Sequence, residues 1–161
     1  THASVLGAVD APVVVQVFHD FNCPHCRRFI PEVLAAFDQR EDLAIWFREL
    51  PVIRRESVPV AHIATALARQ GLYRDFAVAA GEASALLDEA GALAIAREIG
   101  ADMEALDDAL LNESVKDAVD ANLDLADRLG IRGTPAMIVG ERIVSGFLPA
   151  ERLLELVDAG E

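Results

Sequence analysis

Hydrophobic positions along the chain change their period several times, and the changes divide it into elements. Val13-Val14-Val15-Gln16-Val17-Phe18 is a β-branched run of strand length with apolar residues on both faces, the pattern of a strand buried within a sheet. After a polar break over residues 20–22 the spacing turns helical: Cys26, Phe29, Ile30, Val33, Leu34 and Phe37 share one stripe. Pro24 suits the first turn of that helix, where a missing N–H costs nothing, and Pro31 in its middle predicts a kink. Leu43-Ala44-Ile45-Trp46-Phe47 reads as a second strand, so strand, helix and strand predict a parallel βαβ unit.

Helical segments follow. Ser57 is read as the cap of a helix reaching Arg69 and stopped by Gly71. Shorter helices are expected over residues 72–80, 88–99 and 102–110, two of them ended by Gly81 and Gly100. Ser114 is read as the cap of a longer one, with Val115, Val119, Asn122, Leu123, Ala126 and Leu129 on its apolar stripe and Gly130 at its end. Residues 136–139, a Gly140-Glu141 turn and residues 142–144 predict a β-hairpin, and Pro149 opens a last helix to about Asp158. The helical block over 57–110 therefore reads as an insertion into a small α/β core made of 5–56 and 111–161.

Composition narrows this to one folded domain of 161 residues: 53% hydrophobic content and a mean hydropathy of +0.28 exclude disorder. No apolar run approaches the roughly 18 residues that span a bilayer. The net charge is −13, and residues 82–128 hold 13 acids against three bases, which argues against a nucleic-acid partner. Beginning at Thr1 without an initiator methionine or a leader-like run, the chain is expected to be a mature or trimmed form.

Both cysteines fall at the strand-to-helix junction, as Cys23-Pro24-His25-Cys26. Two intervening residues let the sulfurs meet across the first helical turn, which reads as a redox-active dithiol. Cys23 would sit at the helix start, where the dipole favours a thiolate, and Cys26 on the apolar face as its buried partner. A CxxC can also hold zinc, but with His25 or His19 only three ligands lie close in sequence, and structural zinc takes four. No metal or cofactor is expected. The dithiol leaves no cysteine for a structural disulfide.

With its surroundings the dithiol resembles the DsbA-like thiol–disulfide oxidoreductases of the thioredoxin superfamily. The resemblance rests on Phe18-His19-Asp20-Phe21-Asn22-Cys23-Pro24-His25-Cys26, on Pro31, on Phe47-Arg48-Glu49-Leu50-Pro51, and on Gly130-Ile131-Arg132-Gly133-Thr134-Pro135-Ala136. It implies an α/β thioredoxin fold, a mixed sheet flanked by helices, with an inserted all-helical subdomain. It also implies a cis Thr134–Pro135 bond packed against the sulfurs, with the Thr134 backbone pairing with an extended substrate. Cys23 would be the nucleophile, Cys26 the resolving cysteine, His25 a thiolate stabiliser, Pro24 a minor tuner of potential, and Phe21 with the helical cap an apolar groove for unfolded chains. The chain departs from the family at Val17, where a buried glutamate is usual, and at His19, where an aromatic residue is usual. His19 is either a titrating neighbour of the dithiol or a satisfied strand-end histidine. His62 and Trp46 read as ordinary helix and strand residues, and Asn122 as a buried polar group with a partner.

The implied function is a monomeric oxidase, periplasmic or else exported and membrane-associated, that donates disulfides to reduced or misoxidised substrate proteins and is reoxidised by a membrane-bound redox partner. Thr134 in place of valine keeps a reductase or isomerase open. A metal-binding or chaperone-like module and a glutathione-linked enzyme of related fold are the remaining readings, the last disfavoured by the presence of Cys26.

Overall fold

The structure, a computed structural model, describes residues 2–160. Its elements run β1 (Ser4–Leu6), β2 (Val13–His19), α1 (Pro24–Asp38), β3 (Leu43–Glu49), α2 (Ser57–Ala68), α3 (Tyr73–Gly81), α4 (Glu89–Glu98), α5 (Met103–Leu111), α6 (Glu113–Leu129), β4 (Ala136–Val139), β5 (Arg142–Ser145) and α7 (Ala150–Ala159). The strands form one mixed sheet in the order β1-β3-β2-β4-β5. β2 and β3 are parallel, with Val13 opposite Leu43 and His19 opposite Glu49, as the alternation of apolar runs predicts. The hairpin of β4 and β5 adds antiparallel strands beyond β2. The α/β class, a mixed sheet flanked by helices, is thus as expected.

β1 was not foreseen. It is a three-residue strand paired on one side only, antiparallel to β3, too short to show a period. Gly7 follows it at φ +89, with its Cα facing the Leu43 carbonyl so closely that an added Cβ would lie 3.0 Å from that oxygen. Glycine is what lets the edge strand turn away there.

The main core lies between the sheet and α1, α2, α3 and α7, through Val15, Val17, Ile45 and Phe47 on the strands and Phe29, Ile30 and Val33 on α1. Val17 is part of that core, 1% exposed. A smaller cluster on the opposite face joins Phe18, Leu50 and Ala136 to Ala126 of α6. There Asn122 is buried and accepts a hydrogen bond from Arg48 at 3.0 Å. Trp46 is half-buried, its ring 5.9 Å from the Arg48 guanidinium carbon, and its indole N–H has no partner among the described residues.

Two capping expectations are corrected. Ser57 does not cap α2: Glu56 occupies that position without a side-chain bond, and the Ser57 hydroxyl donates to Asp20 instead. α6 begins two residues earlier than a Ser114 cap would allow, because the Asn112 carboxamide oxygen accepts the Ser114 N–H at 2.9 Å. α1 continues through Pro31 as one helix.

Candidate active site

Sheet order brings the residues singled out from sequence to one end of the molecule. β2 ends at His19, the chain crosses a three-residue loop, and Cys23 becomes the N-cap of α1 with Pro24 as its first residue. The first turn carries no acid, so no carboxylate within it competes with an anion on Cys23 for the positive end of the helix. Across the sheet, the loop after α6 brings the Thr134–Pro135 peptide, which is cis, against the dithiol. The Cys23 thiol donates to the Thr134 carbonyl at 3.4 Å.

The two thiols are driven in opposite directions. Cys23 is lowered from 9.0 to about 5, chiefly by the hydrogen bond from the Cys26 thiol, against some opposition from burial, and further by the Thr134 hydroxyl and the main chain at Cys26 and His25. Cys26 is fully buried, and burial followed by its bond to Cys23 pushes its thiol far above the ordinary range. The Thr134 hydroxyl is buried with no hydrogen-bond partner among the described residues. A hydroxyl placed there favours a thiolate on either sulfur.

His25 and Pro24 are exposed at the rim. The His25 ring bonds Arg28 at 2.7 Å, so its contribution to Cys23 comes through the backbone. Phe21 is placed differently from expectation. It is 2% exposed and packs edge-on against His19 at 4.6 Å and Phe76 at 5.3 Å, because the loop after β2 turns its ring inward under the helical block. It is core, and the crevice that it lines with His19, Asp20 and Glu49 is closed to water. The exposed apolar side chains at this end are Val52, Ile53, Val58 and Leu86, with Phe147 beside Arg28.

Sequence reasoning missed the groups that hold these loops together. Asp20 is buried, and its carboxylate accepts from the Asn22 N–H and the Ser57 hydroxyl, both at 2.8 Å, and from the Val52 and Ile53 N–H groups at 3.0 and 2.9 Å. Arg27, directly after Cys26, donates to the carbonyls of Phe21, Ala83 and Ala85 and to the Asn22 side chain. Asn22 in turn bonds both the N–H and the carbonyl of Leu87. The dithiol loop is thereby tied to the β3–α2 loop and to the α3–α4 loop of the helical block. Asp20→Ala should cost about 3–5 kcal/mol, since it strands three backbone N–H groups and a hydroxyl at about 1–3 kcal/mol each, offset in part by water reaching the less buried of them. Urea unfolding of the reduced protein measures it.

Below the dithiol lies a buried polar cluster that sequence reasoning also missed. His19 Nε2 stands 2.7 Å from the Tyr73 hydroxyl and 3.2 Å from Glu49 Oε1, and the Tyr73 hydroxyl donates to that same carboxylate oxygen. His19, Glu49 and Tyr73 are each at most 2% exposed. A signal for Glu49 was present: it continues the i, i+2 series of Ile45 and Phe47 on the core face of β3. Tyr73, from α3, has no such local sign. Among the described residues no group of three or more histidine, cysteine or acidic side chains could hold a metal ion.

Comparison with known proteins agrees with this geometry. A family model described as thioredoxin matches residues 1–159. Among solved structures, the chain is similar to a thioredoxin-like oxidoreductase from Silicibacter pomeroyi DSS-3, at 35% identity and a TM-score of 0.91, over 98% of this chain and 91% of that one. A periplasmic thioredoxin-like protein from Salmonella enterica serovar Typhimurium shares 24% identity at a TM-score of 0.88, over 99% and 90%. The thiol-disulfide exchange protein alpha-DsbA2 from Wolbachia pipientis shares 23% at 0.90, over 99% and 87%. The last two likenesses bear on the fold alone. No curated protein matched the chain.

Proposed function

The chain belongs to the thioredoxin family, and we propose that it is a DsbA-like thiol–disulfide oxidoreductase that works in the bacterial periplasm as an oxidase, passing the Cys23–Cys26 disulfide to proteins as they fold. The observation that carries this reading is the opposed displacement of the two thiols at the start of α1. A thiolate held on Cys23 stabilises the reduced form; the disulfide has no thiolate to stabilise and so is the more reactive, more oxidising state.

In the forward direction a substrate thiolate attacks Cys23 Sγ. The Cys23–Cys26 bond breaks, its electron pair leaves on Cys26, and Cys26 takes a proton. A second substrate thiolate then attacks the substrate sulfur of the mixed disulfide and expels Cys23 as a thiolate, which its site stabilises. The substrate has lost two electrons and the dithiol has gained them. A membrane-bound redox partner removes them, the enzyme acting as a monomer. No helix of the described residues is long and apolar enough to cross a membrane. Substrates are unfolded segments, met by the Thr134 backbone beside the dithiol and by exposed Val52, Ile53 and Leu86. The Salmonella protein, itself described as periplasmic, supports the placement, as does the need for an oxidising compartment.

Equilibration with glutathione buffers tests the direction. The oxidase should have a potential near −120 mV, the value for DsbA, rather than the roughly −270 mV of thioredoxin. Oxidised protein should also accelerate disulfide formation in a reduced substrate. A potential near the thioredoxin value with no such acceleration would make the protein a reductase or isomerase.

A further inference from the structure

Arg48 carries a charge that no described residue neutralises. On β3 it alternates with Ile45 and Phe47, so together with Trp46 it faces α6 rather than the main core. It is 9% exposed. A guanidinium buried to this degree is ordinarily held by a carboxylate, because burying an unpaired charge is expensive. Here Nε donates to Gln16 Oε1 at 2.6 Å and Nη1 to Asn122 Oδ1 at 3.0 Å, both neutral carboxamides. The Asn122 amide nitrogen faces the His2 carbonyl at 3.5 Å, which keeps the carboxamide oxygen toward Arg48. The Trp46 ring, 5.9 Å from the guanidinium carbon, stands at the limit of cation–π reach, about 6 Å. Burial lowers the pKa of the guanidinium, and no neighbouring carboxylate raises it.

Two of the five guanidinium N–H groups are spent on these bonds. Nη2 has no partner among the described residues, yet it is not sealed from solvent. Arg48 lines an open depression of about 540 Å³, a size suited to a small ligand, with Trp46 and Leu125 in its apolar wall. Asp124 and Arg128 are the other charged side chains around it. They stand 3.0 Å apart on the exposed rim and neutralise each other. His2 completes that side. The lining thus keeps one positive charge in excess, in a chain whose net charge is −13. One such charge, with Asp124 nearby, suits a monoanion and disfavours a dianion. The planar fork of arginine matches the paired oxygens of a carboxylate.

We propose that this depression binds a small monocarboxylate with an apolar body, its carboxylate on the free N–H groups of Arg48 and its body against Trp46 and Leu125. The association is an ion pair with hydrogen bonds and involves no covalent step. Gln16 and Asn122 are positioning residues. Each holds one nitrogen of the guanidinium, so the remaining donors meet the ligand already oriented. The dithiol takes no part, and the proposal does not depend on the direction of disulfide exchange.

Trp46 is the only tryptophan, so its fluorescence reports the site directly. The oxidised protein is titrated with hydrocinnamate, with hydrocinnamyl alcohol as its neutral match, and with inorganic phosphate. Hydrocinnamate should give a saturable change and bind about tenfold or more tightly than the alcohol, the factor of a charge-assisted hydrogen bond. Arg48→Met keeps an apolar stem and removes the charge. Acid and alcohol should then bind alike, in a variant whose wild-type rate of disulfide exchange shows it to be folded. The acid–alcohol comparison uses the wild-type protein alone and carries the test where Arg48→Met does not fold. Equal affinity for acid and alcohol would overturn the proposal, as would the absence of a saturable change at millimolar hydrocinnamate. Saturation by phosphate but not by hydrocinnamate, or an undiminished preference for the acid in folded Arg48→Met, would overturn it as well. The dithiol stays oxidised throughout, so a failure of the oxidase reading leaves this result untouched.

Discussion

Cys23→Ser abolishes disulfide exchange, lowering its rate more than about a thousandfold, the scale of losing a covalent nucleophile. Nothing else at the site can take its place: Cys26 is fully buried behind it. Cys26→Ala behaves in the opposite way. It still attacks substrate disulfides through Cys23, but no internal thiol closes on the mixed disulfide, so the covalent complex persists until an external thiol releases it. Mass spectrometry under non-reducing conditions separates the outcomes: adducts accumulate with Cys26→Ala and are absent with Cys23→Ser. The same variant has a second expected effect. The Cys26 thiol is the largest influence lowering Cys23, so Cys26→Ala should move the Cys23 ionisation upward from about 5. Reduced Cys23 in Cys26→Ala that ionises at the wild-type pH would show that the helix start, and not the neighbouring thiol, sets the value.

Alkylation of the reduced wild-type protein should follow a single ionisation with a midpoint near pH 5, four units below the ordinary 9.0. The shift also sets how stability responds to pH. A thiol whose folded pKa is depressed contributes stability that is complete above the unfolded value near 9 and is lost as pH falls through 5. Cys26 acts with the other sign, since its thiol is raised on folding, and its contribution disappears only above about pH 9, where the unfolded thiol ionises. Between 5 and 9 the slope therefore belongs to Cys23. The disulfide form titrates neither sulfur, so reduced and oxidised protein should draw apart in denaturant midpoint as pH rises from 5 to 9. The gap at pH 7 is at most about 3 kcal/mol, and less to the extent that water at the mouth of the site screens the thiolate. Paired urea titrations of the two forms measure it. A gap that stays constant from pH 5 to 9 would contradict a depressed Cys23.

Much of this was legible in the chain because it depends on local patterns. The β-branched run at Val13–Phe18, the stripe from Cys26 to Phe37 and the run at Leu43–Phe47 each carry their own period, and together they imply the parallel pair that places Cys23 at a helix start. What escaped was decided by partners far away in sequence. Ser57 has the chemistry of a cap but finds Asp20, 37 positions earlier, a better acceptor. Phe21 is written like a surface aromatic beside the dithiol and is turned inward by Tyr73 and Phe76. Glu49 reads as the end of a strand until Tyr73, 24 positions later, closes over it. β1 has too few residues to show any period.

Asp20 and Arg27 bracket the dithiol at fixed offsets, one three residues before Cys23 and the other directly after Cys26. Each ties the dithiol's own loop to loops from elsewhere in the chain. A zinc-binding pair of cysteines needs neither of them, because the metal itself fixes the ligands. A useful search pattern for chains built like this one is therefore Asp-x-x-Cys-x-x-Cys-Arg. It filters by the architecture that supports the sulfurs, and it would pass over metal-binding sequences that share only their spacing.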